Sequence, residues 1–303
     1  MSNVVIFSPL PVFMEKSSPI QRSLESQPAE FAEQTQRVAL VVQYVGTHLH
    51  GWQWQPNART VQGEIEAAIR SVLGYDARLS GAGRTDSGVH AAAQVAHFDA
   101  PNFIPAHRWA DVLNARLPDD ILIRASARVA DTWHAQFSAC WRRYRYTLYT
   151  GQQPNLFVRP FVWHYYRHYL DQGKIQTALD AMVGHHDMSA FHRARSGKSH
   201  SWVDLQAAEC SRQDTFLTVE LQAKGFLYGM VRLIMGLVVK VGSGDLTPIE
   251  FGHLWQQRQR HRVKYAAPAQ GLCLLRVGYD DNPFAQDVWF DAQPHFFWGS
   301  SVA

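Results

Sequence analysis

The chain has 303 residues, 46% of them hydrophobic, and a formal charge of +3, enough apolar material for one large core or two ordinary domains. Its three cysteines, Cys140, Cys210 and Cys273, stand apart without C-x-x-C spacing, which argues against a disulfide framework and fits a reducing cytoplasm. No run of about 18 apolar residues occurs, so no membrane-spanning helix is expected. Residues 1–36 are rich in Ser, Pro, Gln and Glu, lack periodicity, and read as a flexible extension. Arg37–Tyr44 is a nearly continuous apolar run, as expected of a central strand. Thr60 caps a helix whose apolar face is Val61, Ile65, Ala68, Ile69, Val72 and Leu73, and Gly74 stops it. A short strand near 77–80, a glycine-rich loop, a strand at 94–99 and a helix over roughly 105–115 follow. Ile121, Ile123, Ala125, Ala127 and Val129 alternate with less apolar neighbours, the pattern of a half-buried strand.

The second half repeats this loosely. Trp141–Tyr149 reads as a strand, Asp171–Val183 as an amphipathic helix, and 204–211 and 215–222 as strands. Phe226–Val241 is a strongly apolar helix, 247–258 another helix, and Gly271–Tyr279 a closing strand. Strands and helices mix without regular β-α-β alternation, which predicts an α+β fold with a mainly antiparallel sheet. The halves 37–130 and 131–280 suggest two related modules sharing that sheet. The tail at 281–303, with Phe284, Trp289, Phe290, Phe296, Phe297 and Trp298, is expected to dock on a surface.

Several features bear on chemistry. Only Lys16, Lys174, Lys198, Lys224, Lys240 and Lys264 among the 29 basic residues are lysines. The rest are arginines, whose planar fork suits phosphates and base edges. High genomic GC content favours arginine equally well. Residues 81–88 crowd three glycines, Arg84 and Asp86 into one loop. Such a loop serves as a tight, salt-bridged turn or holds a nucleophile, but its spacing matches neither a P-loop nor a dinucleotide fingerprint. Arg232 is one of two charges in the apolar helix and must be paired if buried. Along 141–149, Arg142, Tyr144, Tyr146 and Leu148 share one face, with Arg143, Arg145, Thr147 and Tyr149 on the other. That interleaving suits RNA stacking and phosphate contact, or a cross-strand aromatic pair on a solvated sheet. The 15 histidines show no metal-ligand spacing, so no metal site is expected. His90 and His97 read as supports of the loop.

The string Gly83-Arg84-Thr85-Asp86-Ser87-Gly88-Val89-His90, with Gln94-Val95-Ala96-His97-Phe98, closely resembles the active-site motif of the TruA-type tRNA pseudouridine synthases. Gly51-Trp52-Gln53, Phe137-Ser138-Ala139 leading into Arg142–Tyr146, His186-Asp187 with Phe191, Phe226 with Met230-Val231-Arg232 and Gly236, Ala267-Pro268 and Gly271-Leu272 resemble further family segments in the same order. The resemblance covers roughly 37–280. It implies two ferredoxin-like (RRM-like) modules on one sheet and a cofactor-free isomerase acting on the tRNA anticodon stem-loop, near positions 38–40 of the tRNA, as a cytoplasmic homodimer. It assigns Asp86 the essential carboxylate, as nucleophile or as the group that starts glycosidic cleavage. Arg232 becomes its partner, and Tyr144 a packing surface for the base and a candidate late general base. Because a phenol near its ordinary pKa of about 10 is a poor base at neutral pH, stacking is the expected role. Arg84 is the expected base-flipping residue. Thr85, His90, Gln94, Arg143 and Arg145 are further substrate-binding candidates. The chain departs from the family at Val45, where an acid is usual, and at Ser201-Trp202, in place of Arg-Thr. The rival reading is an inactive RNA-binding protein of the same fold, which should have lost Asp86.

Overall fold

The computed structural model describes residues 35–192, 201–285 and Val288. The expected extension, except Thr35 and Gln36, and most of the aromatic tail lie outside the described residues.

Ten strands form one sheet: β1 (Thr35–Tyr44), β2 (Ser80–Gly81), β3 (His90–Pro101), β4 (Ile121–Val129), β5 (Ala139–Tyr149), β6 (Trp163–His164), β7 (Gly184–Asp187), β8 (Trp202–Gln213), β9 (Phe216–Ala223) and β10 (Leu272–Tyr279). Their order is β4-β1-β3-β10-β5-β9-β8-β7, with β2 on β3 and β6 on β5. Among the described strands only the β3–β10 and β5–β6 pairs are parallel. The fold is therefore α+β with a large, mainly antiparallel sheet.

The β3–β10 pairing is a seam. Strands from the first half lie on one side of it and β10 with the second-half strands on the other. It is short, Cys273 opposite His90 and Leu274 opposite Ala91. On the far side of β10, Leu274 also faces Tyr144 of β5. With strands spaced about 4.8 Å apart, this register puts the end of the glycine-rich loop about 10 Å from Tyr144. Sequence distance becomes proximity through two strand pairings.

Among the described residues five α-helices accompany the sheet: α1 (Val61–Leu73), α2 (Trp109–Asn114), α3 (Gln172–Asp180), α4 (Met230–Ser243) and α5 (Pro248–Gln256). Thr60 caps α1 by accepting from the Gly63 amide, and Gly74 ends it in the left-handed region at φ 79°. Thr247 and Glu250 form a reciprocal capping box on α5. One buried cluster runs from Val38, Leu40 and Ile65 through Ala91, Tyr144 and Leu274 to Ile234 and Val238. Ala92 and Leu275 belong to a separate small cluster with Cys273, as alternation on a pleated sheet requires.

Several boundaries differ from the sequence expectation. β1 starts at Thr35, and Gln36 is already buried, donating to the Pro101 and Ile104 carbonyls. β3 begins at His90 instead of 94, because its Ala-rich start is buried on both faces and shows no alternation. α4 begins at Met230 instead of Phe226, since Gly229 sits in the left-handed region at φ 70° and breaks the helical run. The expected helix over 105–115 divides into a 3-10 turn at Ala106–Arg108 and the short α2. The two-residue β6 and four-residue β7 are too short to leave a periodic signal.

Candidate active site

The glycine-rich loop is held from beneath by backbone. Ala82 N donates to the Val95 carbonyl at 2.7 Å, Trp52 N to Thr85 O at 3.2 Å and Gly88 N to Leu49 O at 3.2 Å. Gly51, at φ 88°, lies so close that a Cβ there would meet the Thr85 carbonyl oxygen at 2.5 Å. The Gly51-Trp52 segment is thus a brace that only glycine permits.

Three of the candidate substrate-binding side chains face inward from the loop. Thr85 is buried, its Oγ1 at 2.8 Å from the equally buried Tyr44 hydroxyl. Gln94 is fully buried and donates through Nε2 to the Gly83 carbonyl at 2.9 Å. His90 Nδ1 accepts from Gly46 N at 3.0 Å, so the ring proton belongs on Nε2, which lies 3.0 Å from the Pro160 carbonyl. Burial lowers the His90 pKa below its usual value, which keeps the ring neutral with one acceptor and one donor face.

Arg84 and Ser87 are exposed while Asp86 between them is partly buried. The loop therefore offers Arg84 outward and draws Asp86 in. Asp86 Oδ2 accepts from Arg232 Nη1 at 3.0 Å, with side-chain exposures of 12% and 16% for the acid and the arginine. Arg232 lies in the first turn of α4. Its Nε donates to the Ala267 carbonyl at 2.8 Å, and Ala267 N returns a bond to the Arg232 carbonyl at 2.8 Å. Two donors of one rigid guanidinium are thereby committed in different directions, one to backbone and one to the carboxylate. Opposite charge and a shared hydrogen bond fix the orientation of the carboxylate.

Tyr144 comes to the same region from β5. It is buried and meets Phe226 edge to face, with centroids 5.2 Å apart. Burial pushes its phenol pKa well above the ordinary tyrosine range, so it stays protonated at neutral pH. Arg143 and Arg145 point to the opposite face. Both pair with Glu220, at 2.6 Å, and Arg143 also approaches Glu209 at 3.6 Å. The strand thus brings Tyr144, but not Arg143 or Arg145, to the side of Asp86.

Arg142 was not a sequence candidate, yet it ties the site together. Its buried guanidinium donates to four backbone carbonyls: Ala82 and Gln136 at 2.7 Å, Lys224 at 2.6 Å and Ala139 at 3.4 Å. One side chain links the glycine-rich loop, the turn before β5 and the segment leading to Phe226 and α4. Burial lowers its pKa, as desolvation of a cation must. The available signal was its place on the Tyr144 face of β5, but alternation cannot distinguish a buried arginine from a solvated one.

A carboxylate fixed by arginine on a rigid loop, beside a buried aromatic, with an exposed arginine two residues away, can serve as a positioned nucleophile or as an acid–base group. The family described as tRNA pseudouridine synthase matches residues 40–138 and 178–280. A tRNA pseudouridine synthase A of Rippkaea orientalis is 62% identical over 264 residues, covering 87% of this chain and 90% of the relative. One of a Nostoc species is 63% identical over 262 residues, covering 86% and 93%. One of a Synechocystis species is 56% identical over 260 residues, covering 86% and 94%. The chain belongs to the tRNA pseudouridine synthase family.

Proposed function

We propose that this enzyme isomerises uridine to pseudouridine in the anticodon stem-loop of tRNA, near positions 38–40 of the tRNA, with Asp86 as its essential carboxylate. The observation that carries the reading is the 3.0 Å contact between Asp86 Oδ2 and Arg232 Nη1 in a largely buried setting. Arg232 keeps the acid oriented, and the acid meets the ribose as nucleophile or as initiator of C–N cleavage. The base, once released, is held over Tyr144 until the sugar carbon, freed from any bond to Asp86, joins its C5; C5 then gives up its proton and N1 carries one. Substrate and product are isomers, so the reaction balances without a co-reactant.

A uridine inside a stem must leave its stack, which costs a few kcal/mol. Arg84, exposed two residues from Asp86, takes the vacated place. Thr85, His90 and Gln94 serve the substrate by shaping the loop from behind. In this reading two modules, 37–130 and 131–280, meet at the β3–β10 pairing, with Asp86 just before it in the chain. The resemblance also carries a homodimer that shares one tRNA, and the isolated cysteines suit a cytoplasmic location. The test is to incubate the protein with unmodified tRNA transcripts and map pseudouridine along them. Product confined to the anticodon stem-loop supports the reading. Product elsewhere, or none, overturns it.

A further inference from the structure

The segment that leads into Ala267 carries a second cluster of charge. Between α5 and β10, Arg258, Arg260, His261, Arg262 and Lys264 are all exposed. The turn that bears them is built, because Trp255 and Val263 are buried beneath it and Arg258, at φ 55°, bonds Asp187 Oδ2 through Nε at 2.9 Å. Arg262 donates to Gln259 Oε1 at 3.2 Å within the turn. Among the described residues no carboxylate forms an ion pair with Arg260, Arg262 or Lys264. Glu250, which lies within electrostatic reach of Arg262, is engaged by the amide and hydroxyl of Thr247 in the α5 cap.

The position of the turn matters as much as its charge. After Lys264 the chain passes Tyr265, whose carbonyl would stand 2.2 Å from a Cβ on Gly236 of α4. It then reaches Ala267, which holds Arg232 through two hydrogen bonds. The segment therefore runs along α4 back to the partner of Asp86. At roughly 3.5 Å per residue even when fully extended, Lys264 lies within about 10 Å of Ala267 and Arg260 within about 25 Å. Tyr265, 53% exposed, adds an aromatic between the cations and the site. A preformed row of cations beside an exposed aromatic is the chemistry of nucleic-acid backbone binding.

We propose that the 258–264 turn grips the phosphate backbone of the RNA strand flanking the uridine held at Asp86, an inference that rests on the functional reading above. The test is the full-length Arg260→Gln/Arg262→Gln/Lys264→Gln variant, measured for tRNA binding across a salt series and for turnover. The expected result is a KM about tenfold higher, kcat held at saturating tRNA, and a plot of log affinity against log salt shallower by about 1 per cation removed. An Arg260→Lys/Arg262→Lys variant should keep most of the wild-type slope, because lysine still offers a point charge to phosphate. A variant with wild-type KM and salt slope, or one that loses kcat alone, overturns the proposal while the functional reading stands. Failure of that reading is distinguishable, since it shows as wild-type protein that makes no pseudouridine.

Discussion

Asp86 and Arg232 are 146 positions apart, yet one carboxylate oxygen accepts from the guanidinium at 3.0 Å. The acid rises on a loop braced by Gly51 and Gln94, and the arginine descends from the first turn of α4. Because Arg232 Nε is already committed to the Ala267 carbonyl, the geometry needs a fork with two differently directed donors. Lysine retains charge but has no such fork. Arg232→Lys is expected to lower kcat by about 10²–10³-fold with KM for tRNA within a factor of about three, a loss of roughly 3–4 kcal/mol of transition-state stabilisation. Steady-state kinetics on a tRNA transcript check this, and unchanged kcat would remove Arg232 from its role.

Arg142 predicts a stability effect as well as a rate effect. Arg142→Met would remove a donor from four backbone carbonyls, two of them, those of Ala82 and Ala139, bonded in buried surroundings. Each carbonyl left unpaired is costly, offset by relief of a desolvated charge. The expected net loss is about 3 kcal/mol in urea unfolding, with kcat reduced in the fraction that remains folded. Arg142→Met with a wild-type unfolding midpoint would show that the loop does not depend on it.

For Tyr144 the expected behaviour follows from its buried, protonated phenol and its edge contact with Phe226. Tyr144→Phe keeps ring, packing and stacking surface. Its kcat should stay within about tenfold of wild type, a change of about 1.4 kcal/mol or less, whereas Tyr144→Ala should lose far more activity and some stability. A Tyr144→Phe protein as inactive as the alanine variant would mean that the hydroxyl takes part in proton transfer.

His97 sets a pH dependence of stability. It is buried, and its Nδ1 accepts from Ala135 N at 3.2 Å. Burial first, then the nearby charges of His134 and Arg37, lower its pKa from 6.5 to about 4. The unfolded chain therefore binds this proton more readily than the folded one. The stabilisation is complete above pH 6.5 and is lost as pH falls towards 4. Burial lowers the His90 pKa too, which acts in the same sense. Thermal melts from pH 7.5 to 4.5 should show a falling Tm, and a less steep fall for His97→Asn, which keeps an acceptor near Nδ1 without titrating. Identical slopes would assign the fall to other groups.

Much of this was visible in the chain because the signals are local. The glycine-rich loop declares itself by composition. Arg232 stands out as a charge in an apolar helix, and the capping residue Thr60 marks where a helix begins. What escaped depends on partners distant in sequence. Gln94 reads as a substrate contact, and His90 reads both as a support of the loop and as a substrate contact. Their partners at Gly46, Pro160 and Gly83 place them behind the loop, and only the fold supplies that information. Arg142, Arg143 and Arg145 look alike in sequence. One is buried against carbonyls and two are paired with Glu220, a distinction set by which sheet face packs on α4.

Asp86→Asn tests the central assignment most directly, since it keeps the shape and a hydrogen-bonding oxygen for Arg232 but removes the charged carboxylate. Single-turnover assays with saturating enzyme on an unmodified tRNA transcript should give pseudouridine with wild-type protein and none with Asp86→Asn, while both bind the tRNA with similar affinity. Pseudouridine formed by Asp86→Asn at a rate near wild type would contradict the assignment of Asp86 as the essential carboxylate.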